Sequence, residues 1–301
     1  MIKDQQIKEA KNDTTRFSLC CTRCTKPIGP FKFEQRQSRP DDVIIDIEYC
    51  GVCHSDLHQA RNDWGFSRYP IVPGHEVIGR VKSIGNAVTK FRVGDLVGIG
   101  CMVDSCRTCS ACHQGLEQYC EQGNTCTYGS LGRHDQTVTY GGYSQTIIWS
   151  QDFVLKVPEN LDTKAVAPIL CAGITTWSPL RHWNIGPKSK VAVVGLGGLG
   201  HMAIKLAHAL GAEVTLFTRS PDKEQDARDL GADHVINHRN PLFDELQKTG
   251  ITEVDYAISL NNTDEHYEEI IKCLKPQGKL GLIDDPESLD VKALKTKCLS
   301  L

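Results

Sequence analysis

The stretch VAVVGLGGLGHMAIKLAHALGA, Val191 to Ala212, constrains the fold of this chain more than any other. Lys190–Val194 is a continuous apolar run and predicts a buried strand. His201–Leu210 has apolar positions three and four apart and predicts a helix packed back against it. Lys205, two histidines and the glycines exclude a membrane span. Between strand and helix stands GLGGLG, comprising Gly195, Leu196, Gly197, Gly198, Leu199 and Gly200. G-x-G-x-x-G alone is a weak signal, and a plain tight turn also fits it, but here both flanks that a dinucleotide loop requires are present. Gly195 permits the tight turn, Gly197 lets backbone approach a pyrophosphate, and Gly200 lets helix pack on strand. The helix N-terminus then offers unpaired N–H groups to the phosphates.

The end of the next strand, Glu213–Phe217, selects the dinucleotide. An acid there would accept hydrogen bonds from a ribose 2′-hydroxyl and repel a 2′-phosphate. The chain instead has Thr218, Arg219 and Ser220, with Lys223 one turn on and Asp222 as the only acid nearby. NADP(H) fits this better than NAD(H), although a solvated helix start with unrelated charges has the same composition.

The two halves of the chain are patterned differently. From about Asp42 to Val157, short strands are broken by glycine and proline: VIIDIEY, EVIGRVKSIG, DLVGIG, YSQTIIW and FVLKVP. This is all-β patterning with long loops. After Pro158, strands and helices alternate through Lys190–Val194, Glu213–Phe217, the helical PDKEQDARDLGA, His234–Asn237, Asp255–Leu260 and Lys279–Asp284. Such alternation predicts a parallel, doubly wound α/β sheet. The expected domains are 1–157 and 158–301, and the 301 residues suffice for both cores.

Fourteen cysteines are many for this length. They do not form an even disulfide lattice, and the opening MIKDQQIKEAKNDTTRFS lacks an apolar signal stretch. The expectation is a reducing compartment, the cytoplasm, where clustered cysteines hold metal. A net charge of −3 leaves no electrostatic footprint for nucleic acid or an acidic membrane.

Cys106, Cys109, Cys112 and Cys120 have C-x2-C-x2-C-x7-C spacing. Four thiolates complete a tetrahedral Zn²⁺ and leave no position for a substrate, so this lobe predicts a structural site. A catalytic zinc needs three ligands and a vacancy. CGVCHSD offers Cys53, with Cys50 as an alternative; PGHE offers His75 and Glu76; LCAGITTW offers Cys171. Taken singly, each also fits a buried cysteine or a hydrogen-bonded histidine.

CGVCHSDLH, PGHEVIG, the four-cysteine lobe, LCAGITT and GLGGLG occur in this order. In this the chain, from about Val43 to Asn240, resembles the zinc-dependent medium-chain dehydrogenase/reductases. It is most similar to the cinnamyl-alcohol-dehydrogenase-like branch, which includes bacterial NADPH-dependent aldehyde reductases. The resemblance implies a GroES-like, mostly-β catalytic domain followed by a Rossmann domain, two Zn²⁺ per chain and NADP(H). It implies catalytic zinc on Cys53, His75 and Cys171, with Glu76 as an alternate or outer ligand and Asp56 orienting His75. His54 would sit near the pyrophosphate and Thr175 by the nicotinamide, while Ser55 and His58 would relay a proton to solvent. Cys20, Cys21 and Cys24 match no ligand of the family.

The implied reaction is reversible hydride transfer between NADP(H) and a small aldehyde/alcohol pair, with zinc as Lewis acid. Trp64, in the loop before PGHE, is a candidate lining for aromatic or medium aliphatic aldehydes. A non-catalytic zinc protein would leave Cys53, His75 and Cys171 without purpose, and a zinc-free quinone reductase would lack them.

After about Asn240 the sequence departs from this branch, and LKPQGKLGLIDDPESLDVKALKTKCLSL is more similar to the quinone-reductase-like branch. KCLSL resembles the start of a sixth Rossmann strand, beyond which relatives continue. The expectation is a Rossmann domain without its sixth strand and C-terminal return, and an impaired form of the homodimer seen in relatives. The alternative function is then a truncated family member that binds zinc and cofactor but turns over little.

Overall fold

The computed structural model describes residues 15–237, 241–260 and 267–283. The chain forms two compact units that divide between Cys171 and Ala172. The change of pattern near Pro158 lies earlier than this division. Val166, Ala167 and Leu170 pack with Ile78, Leu96 and Val157, which holds the first helical turns after Pro158 on the first unit.

The first unit opens with a hairpin of β1 (Thr15–Cys20) and β2 (Gly29–Glu34). Next come β3 (Asp42–Cys50), helix α1 (His54–Arg61), β4 (Val77–Ile84), β5 (Leu96–Ile99) and β6 (Met102–Asp104). The short α2 (Ser110–His113), β7 (Thr125–Cys126), β8 (Thr146–Ser150), β9 (Leu155–Lys156) and α3 (Thr163–Val166) complete it. The main sheet is antiparallel, in the order β8-β3-β4-β5-β9. Alternate residues of its strands, among them Val43, Ile45, Val77, Val81, Val97, Ile99 and Ile147, meet in one core with Trp149 and Phe91. All five expected strands are present. FVLKVP keeps only two residues of pairing, because β9 is an edge strand whose bonds to β5 involve Leu155 and Lys156 alone. The β1–β2 hairpin was not expected, since Phe17 and Leu19 on β1 are exposed and give the strand no buried stripe to signal it.

The second unit runs α4 (Ala172–His182), β10 (Lys190–Val194), α5 (Gly198–Ala209), β11 (Glu213–Thr218), α6 (Glu224–Asp229) and β12 (His234–Asn237). It continues with α7 (Leu242–Lys248), β13 (Val254–Ser259), α8 (Tyr267–Cys273) and β14 (Leu274–Leu282). The sheet is parallel with order β12-β11-β10-β13-β14. Its central strand shows why it is doubly wound. Val191 and Val193 point into a core with Leu180, Ala203 and Ile204, while Ala192 and Val194 point into another with Leu246, Ile270 and Leu280. A strand buried on both faces reads as a continuous apolar run, as KVAVV does. PDKEQDARDLGA is one 3-10 turn, Pro221–Lys223, followed by the short α6. The end of the expected strand at Asp284 and the KCLSL segment lie outside the described residues. Among the described residues, no helix is long and apolar enough to cross a membrane.

The entry into β3 is fixed by a buried charge. Asp42 is fully buried and accepts hydrogen bonds from Arg36 at 2.6 and 2.9 Å and from the Arg39 backbone at 2.6 Å. Burial works to raise its carboxyl, but the hydrogen bonds from Arg36 and Arg39 outweigh this and hold it below the usual carboxylate range. A carboxylate depressed in the folded state stabilises the fold above its unfolded value, about 3.9, and loses that contribution as pH falls through the folded value. Asp42→Asn is expected to cost roughly 2–3 kcal/mol at neutral pH, discounted for the partial solvation of the arginines. Urea unfolding across pH should also show that the variant lacks part of the wild-type loss of stability below about pH 4.

Candidate metal and cofactor sites

In the first unit, Ile71 to Gly79 is an unbroken buried run that carries His75 and Glu76 in its middle. Buried polar groups need partners, so these two side chains must be committed to something. Cys53 stands at the N-terminal boundary of α1, and Asp56, one turn in, reaches back to accept the Cys53 backbone N–H at 2.9 Å. The helix start thereby fixes a thiol and a buried carboxylate together.

Cys53, His75, Glu76 and Cys171 bring one donor atom each to within 4.8 Å of one another. The two sulfurs are 3.8 Å apart. His75 Nδ1 lies 3.5 Å from Asp56 Oδ1, and its ring stacks on Tyr128 with centroids 5.6 Å apart. A proton on Nδ1 facing the carboxylate makes Nε2 the nitrogen that can serve as a ligand once its own proton is lost. Nε2 is buried and has no partner, and neither has Glu76 Oε2. The Glu76 side chain fits only because position 51 is glycine, where a Cβ would collide with Oε2.

Burial, and then the charge of Cys53, pushes the Glu76 carboxyl up to about 7. The hydrogen bond to Cys171, with burial, pushes the Cys53 thiol up to about 12. Burial opposes a charge on His75, but the neighbouring Cys171 and Cys53 sulfurs and the Asp56 carboxylate push it up to about 10. Two thiols and an imidazole that retain their protons this way fit a divalent cation that would displace those protons. Two thiolates and an imidazole match zinc with a vacancy, and Glu76 can fill or leave that position.

Cys50, the alternative to Cys53, is outside this group. Its sulfur faces the Gly51 carbonyl, and burial pushes the thiol up to about 12. Cys101 was not singled out from the sequence. Its thiol lies beside Cys171 and is the leading cause of the raised Cys171 thiol. Nothing in the GIGCMV context sets it apart from an ordinary strand-end cysteine.

Cys106, Cys109, Cys112 and Cys120 form the second converging group. Cys109 caps α2, which carries Cys112. Cys106 Sγ accepts the N–H groups of Thr108 and Cys109 at 3.5 and 3.3 Å, and Cys120 Sγ accepts that of Cys106 at 3.3 Å. The hydrogen bonds from Thr108 lead in pulling the Cys106 thiol down to about 6. Backbone donors aimed at sulfur stabilise thiolate and suit a closed tetrahedral site. Cys20, Cys21 and Cys24 belong to neither group. The Cys21 thiol is satisfied by the Arg23 and Lys26 carbonyls at 2.9 and 3.1 Å.

The residues named for the proton path lie on α1. Ser55 Oγ is 3.6 Å from Cys53 Sγ. His58 Nδ1 is 2.8 Å from Asp63 Oδ2, and its ring lies between those of His54 and Trp64 at 5.5 and 5.2 Å. Asp63 was not anticipated. Asn62 ends the helix in the left-handed region, and the turn returns Asp63 to His58. Trp64 in turn stacks on Phe66.

In the second unit, α5 begins at Gly198, earlier than the expected His201, because Gly197 caps the helix and the loop supplies its first turn. Gly195 has φ +97, and a Cβ at Gly200 would collide with the Gly195 carbonyl oxygen. Gly197 and Gly198 face open space and present bare backbone there. At the end of β11, Thr218 is buried and accepts the Ser220 N–H at 3.2 Å, while Arg219, just past the strand, is exposed. Lys223 Nζ donates to the Leu196 carbonyl at 3.1 Å, so it grips the glycine loop. Thr175 is half-buried on α4. Gly200→Ala should force helix and strand apart, lowering stability by roughly 1–3 kcal/mol and weakening dinucleotide binding. Thermal unfolding with and without NADPH would read both effects.

Residues 39–159 match the alcohol dehydrogenase GroES-like domain, and residues 198–299 match the zinc-binding dehydrogenase family. The chain is 48% identical over 262 residues to the aldehyde reductase YahK of Escherichia coli, covering 87% of this chain and 74% of that one. It is 49% identical over 235 residues to NADP-dependent alcohol dehydrogenase C 1 of Mycolicibacterium smegmatis, covering 77% and 67%. Among solved structures, a cinnamyl alcohol dehydrogenase of Sorghum bicolor superposes with TM-score 0.89 at 38% identity, covering 95% of this chain and 81% of the other. A Helicobacter pylori CAD complexed with NADP(H) superposes with TM-score 0.86, also at 38% identity, covering 94% and 81%. The chain belongs to the zinc-dependent medium-chain dehydrogenase/reductase family, in its cinnamyl-alcohol-dehydrogenase-like branch.

Proposed function

We propose that this protein is a zinc- and NADP(H)-dependent oxidoreductase that interconverts an aldehyde and its alcohol. The observation that carries the reading is the convergence of Cys53, His75 and Cys171 around a buried, unpartnered His75 Nε2. Relatives named as an aldehyde reductase and as an NADP-dependent alcohol dehydrogenase support it. A zinc-free quinone reductase would have no use for such a donor set.

When bound, zinc supplies Lewis acidity toward a carbonyl oxygen and NADPH supplies the hydride. Cys53, His75 and Cys171 hold the metal, with Glu76 as the exchangeable fourth donor, and Asp56 orients His75. Ser55 and His58 move the proton, with Asp63 holding the His58 ring at Nδ1. The loop from Gly195 to Gly200 cradles the pyrophosphate, which His54 also serves, and Thr175 serves the nicotinamide. Arg219, with Thr218 and Ser220, receives the 2′-phosphate, and Lys223 steadies the loop through Leu196. The column of His58, Trp64 and Phe66 favours aromatic or medium aliphatic aldehydes. Cys106, Cys109, Cys112 and Cys120 hold a second, structural zinc. A homodimer in the cytoplasm completes the reading.

Elemental analysis should give about two zinc ions per chain, and about one in Cys171→Ala with the fold retained. Loss of activity in Cys106→Ala with stability untouched would contradict the division into structural and catalytic sites. For the cofactor, Arg219→Asp should weaken NADPH binding by about 1–3 kcal/mol, because a charge-assisted phosphate contact becomes a repulsion. Equal affinity of the unmodified protein for NADH and NADPH would overturn the NADP assignment. An aldehyde-reduction screen with NADPH, including aromatic substrates, tests the activity itself.

A further inference from the structure

The buried Asp56 carboxylate receives more donors than the helix that carries it can supply. Its Oδ2 accepts the Cys53 backbone N–H at 2.9 Å and the Tyr143 hydroxyl at 3.0 Å. Its Oδ1 accepts the Gly74 N–H at 2.9 Å and faces His75 Nδ1 at 3.5 Å. Three of these groups belong to the elements that present Cys53 and His75. The fourth, Tyr143, is distant in sequence and lies in neither group of metal donors; nor does Tyr128, whose ring stacks on His75 and whose phenol also meets Asp56.

Tyr143 is itself anchored on both sides. Its N–H donates to the Pro73 carbonyl at 2.9 Å, and its carbonyl accepts the Leu19 N–H at 2.8 Å. Its ring lies against the turn at Gly74, where an added Cβ would fall 2.7 Å from Tyr143 Cδ1. The phenol therefore reaches Asp56 from a fixed backbone. With two donors on Oδ2, the carboxylate cannot turn without losing a hydrogen bond, and Oδ1 stays directed at the imidazole.

We propose that Tyr143 is a positioning residue for the metal site: its hydroxyl holds Asp56 in the rotamer that presents Oδ1 to His75 and so aims His75 Nε2 at Cys53 and Cys171. The proposal rests on the reading of that cluster as a zinc site. Outer partners of metal-bound histidines set ring orientation and basicity, and their loss typically lowers metal affinity. Phenylalanine at position 143 removes only the hydroxyl and keeps the ring packed on the turn.

The test is a chelator-competition titration of zinc on the full chain, carried out on unmodified protein, Tyr143→Phe, Asp56→Asn and the double variant. Tyr143→Phe should lower affinity at the Cys53/His75/Cys171 site about tenfold, the lower end for such outer partners, with zinc in the four-cysteine lobe unchanged. Asp56→Asn should lower it further, and adding Tyr143→Phe to it should have no additional effect, because the hydroxyl acts through the carboxylate. Unchanged affinity in Tyr143→Phe, or losses that add in the double variant, would overturn the proposal. So would loss of the four-cysteine zinc or of cooperative unfolding in Tyr143→Phe, which would make the hydroxyl a general structural element. If the unmodified protein holds no zinc that Cys171→Ala removes, the metal-site reading itself fails, and the unmodified and Cys171→Ala arms separate that result from a failure of Tyr143 alone.

Discussion

Asp56 is the point on which the candidate catalytic site depends. It is 2% exposed, it closes the first turn of α1 on Cys53, and it binds the Gly74 N–H where the chain turns into the buried run carrying His75. A carboxylate in that position would be costly without donors. The donors it collects come from separate parts of the chain, so satisfying one buried charge also registers a thiol against an imidazole. The pairing of Gly51 with Glu76 serves the same end. The Gly51 N–H donates to the Glu76 carbonyl, and the missing side chain at Gly51 leaves space for the Glu76 carboxyl.

The two groups of metal donors illustrate two ways of building a site. The four-cysteine lobe is local. Its ligands lie within fifteen residues, and backbone N–H groups of the same loops surround the sulfurs. Such a site is complete once its own loop closes, and all four positions are taken. The other group draws Cys53 from a helix start, His75 and Glu76 from the approach to a central strand, and Cys171 from the end of the unit. It exists only when the β core has formed, and it retains a buried nitrogen and a buried oxygen without partners.

In the second unit, the constraint is close approach of backbone. Val191 and Val193 on one face of β10, and Ala192 and Val194 on the other, hold the strand between two cores. The turn that follows must then bring α5 onto the strand with nothing at Gly200 to keep it away. The same absence of side chains at Gly197 and Gly198 leaves the N–H groups of the loop open to phosphate. Lys223, from beyond the next strand, closes the carbonyl side of the loop at Leu196.

Much of this was legible in the sequence because it depends on short-range pattern. The alternation of VIIDIEY, the apolar run KVAVV, the glycine loop and the C-x2-C-x2-C spacing each encode their own local structure. The grouping of Cys53, His75, Glu76 and Cys171 as candidate metal donors was legible only through the order of several motifs, since a lone Cys53 or His75 has an ordinary buried reading. Other features required the folded chain. The placement of Cys101 beside Cys171, the return of Asp63 to His58 and the reach of Tyr143 to Asp56 are all meetings of residues whose spacing carries no period. The sequence determined which strands, helices and donor types the chain has, because period and turn chemistry act over a few residues. Tertiary structure decided which donors meet and which buried polar atoms stay unpaired, because those depend on how distant segments pack around a buried charge.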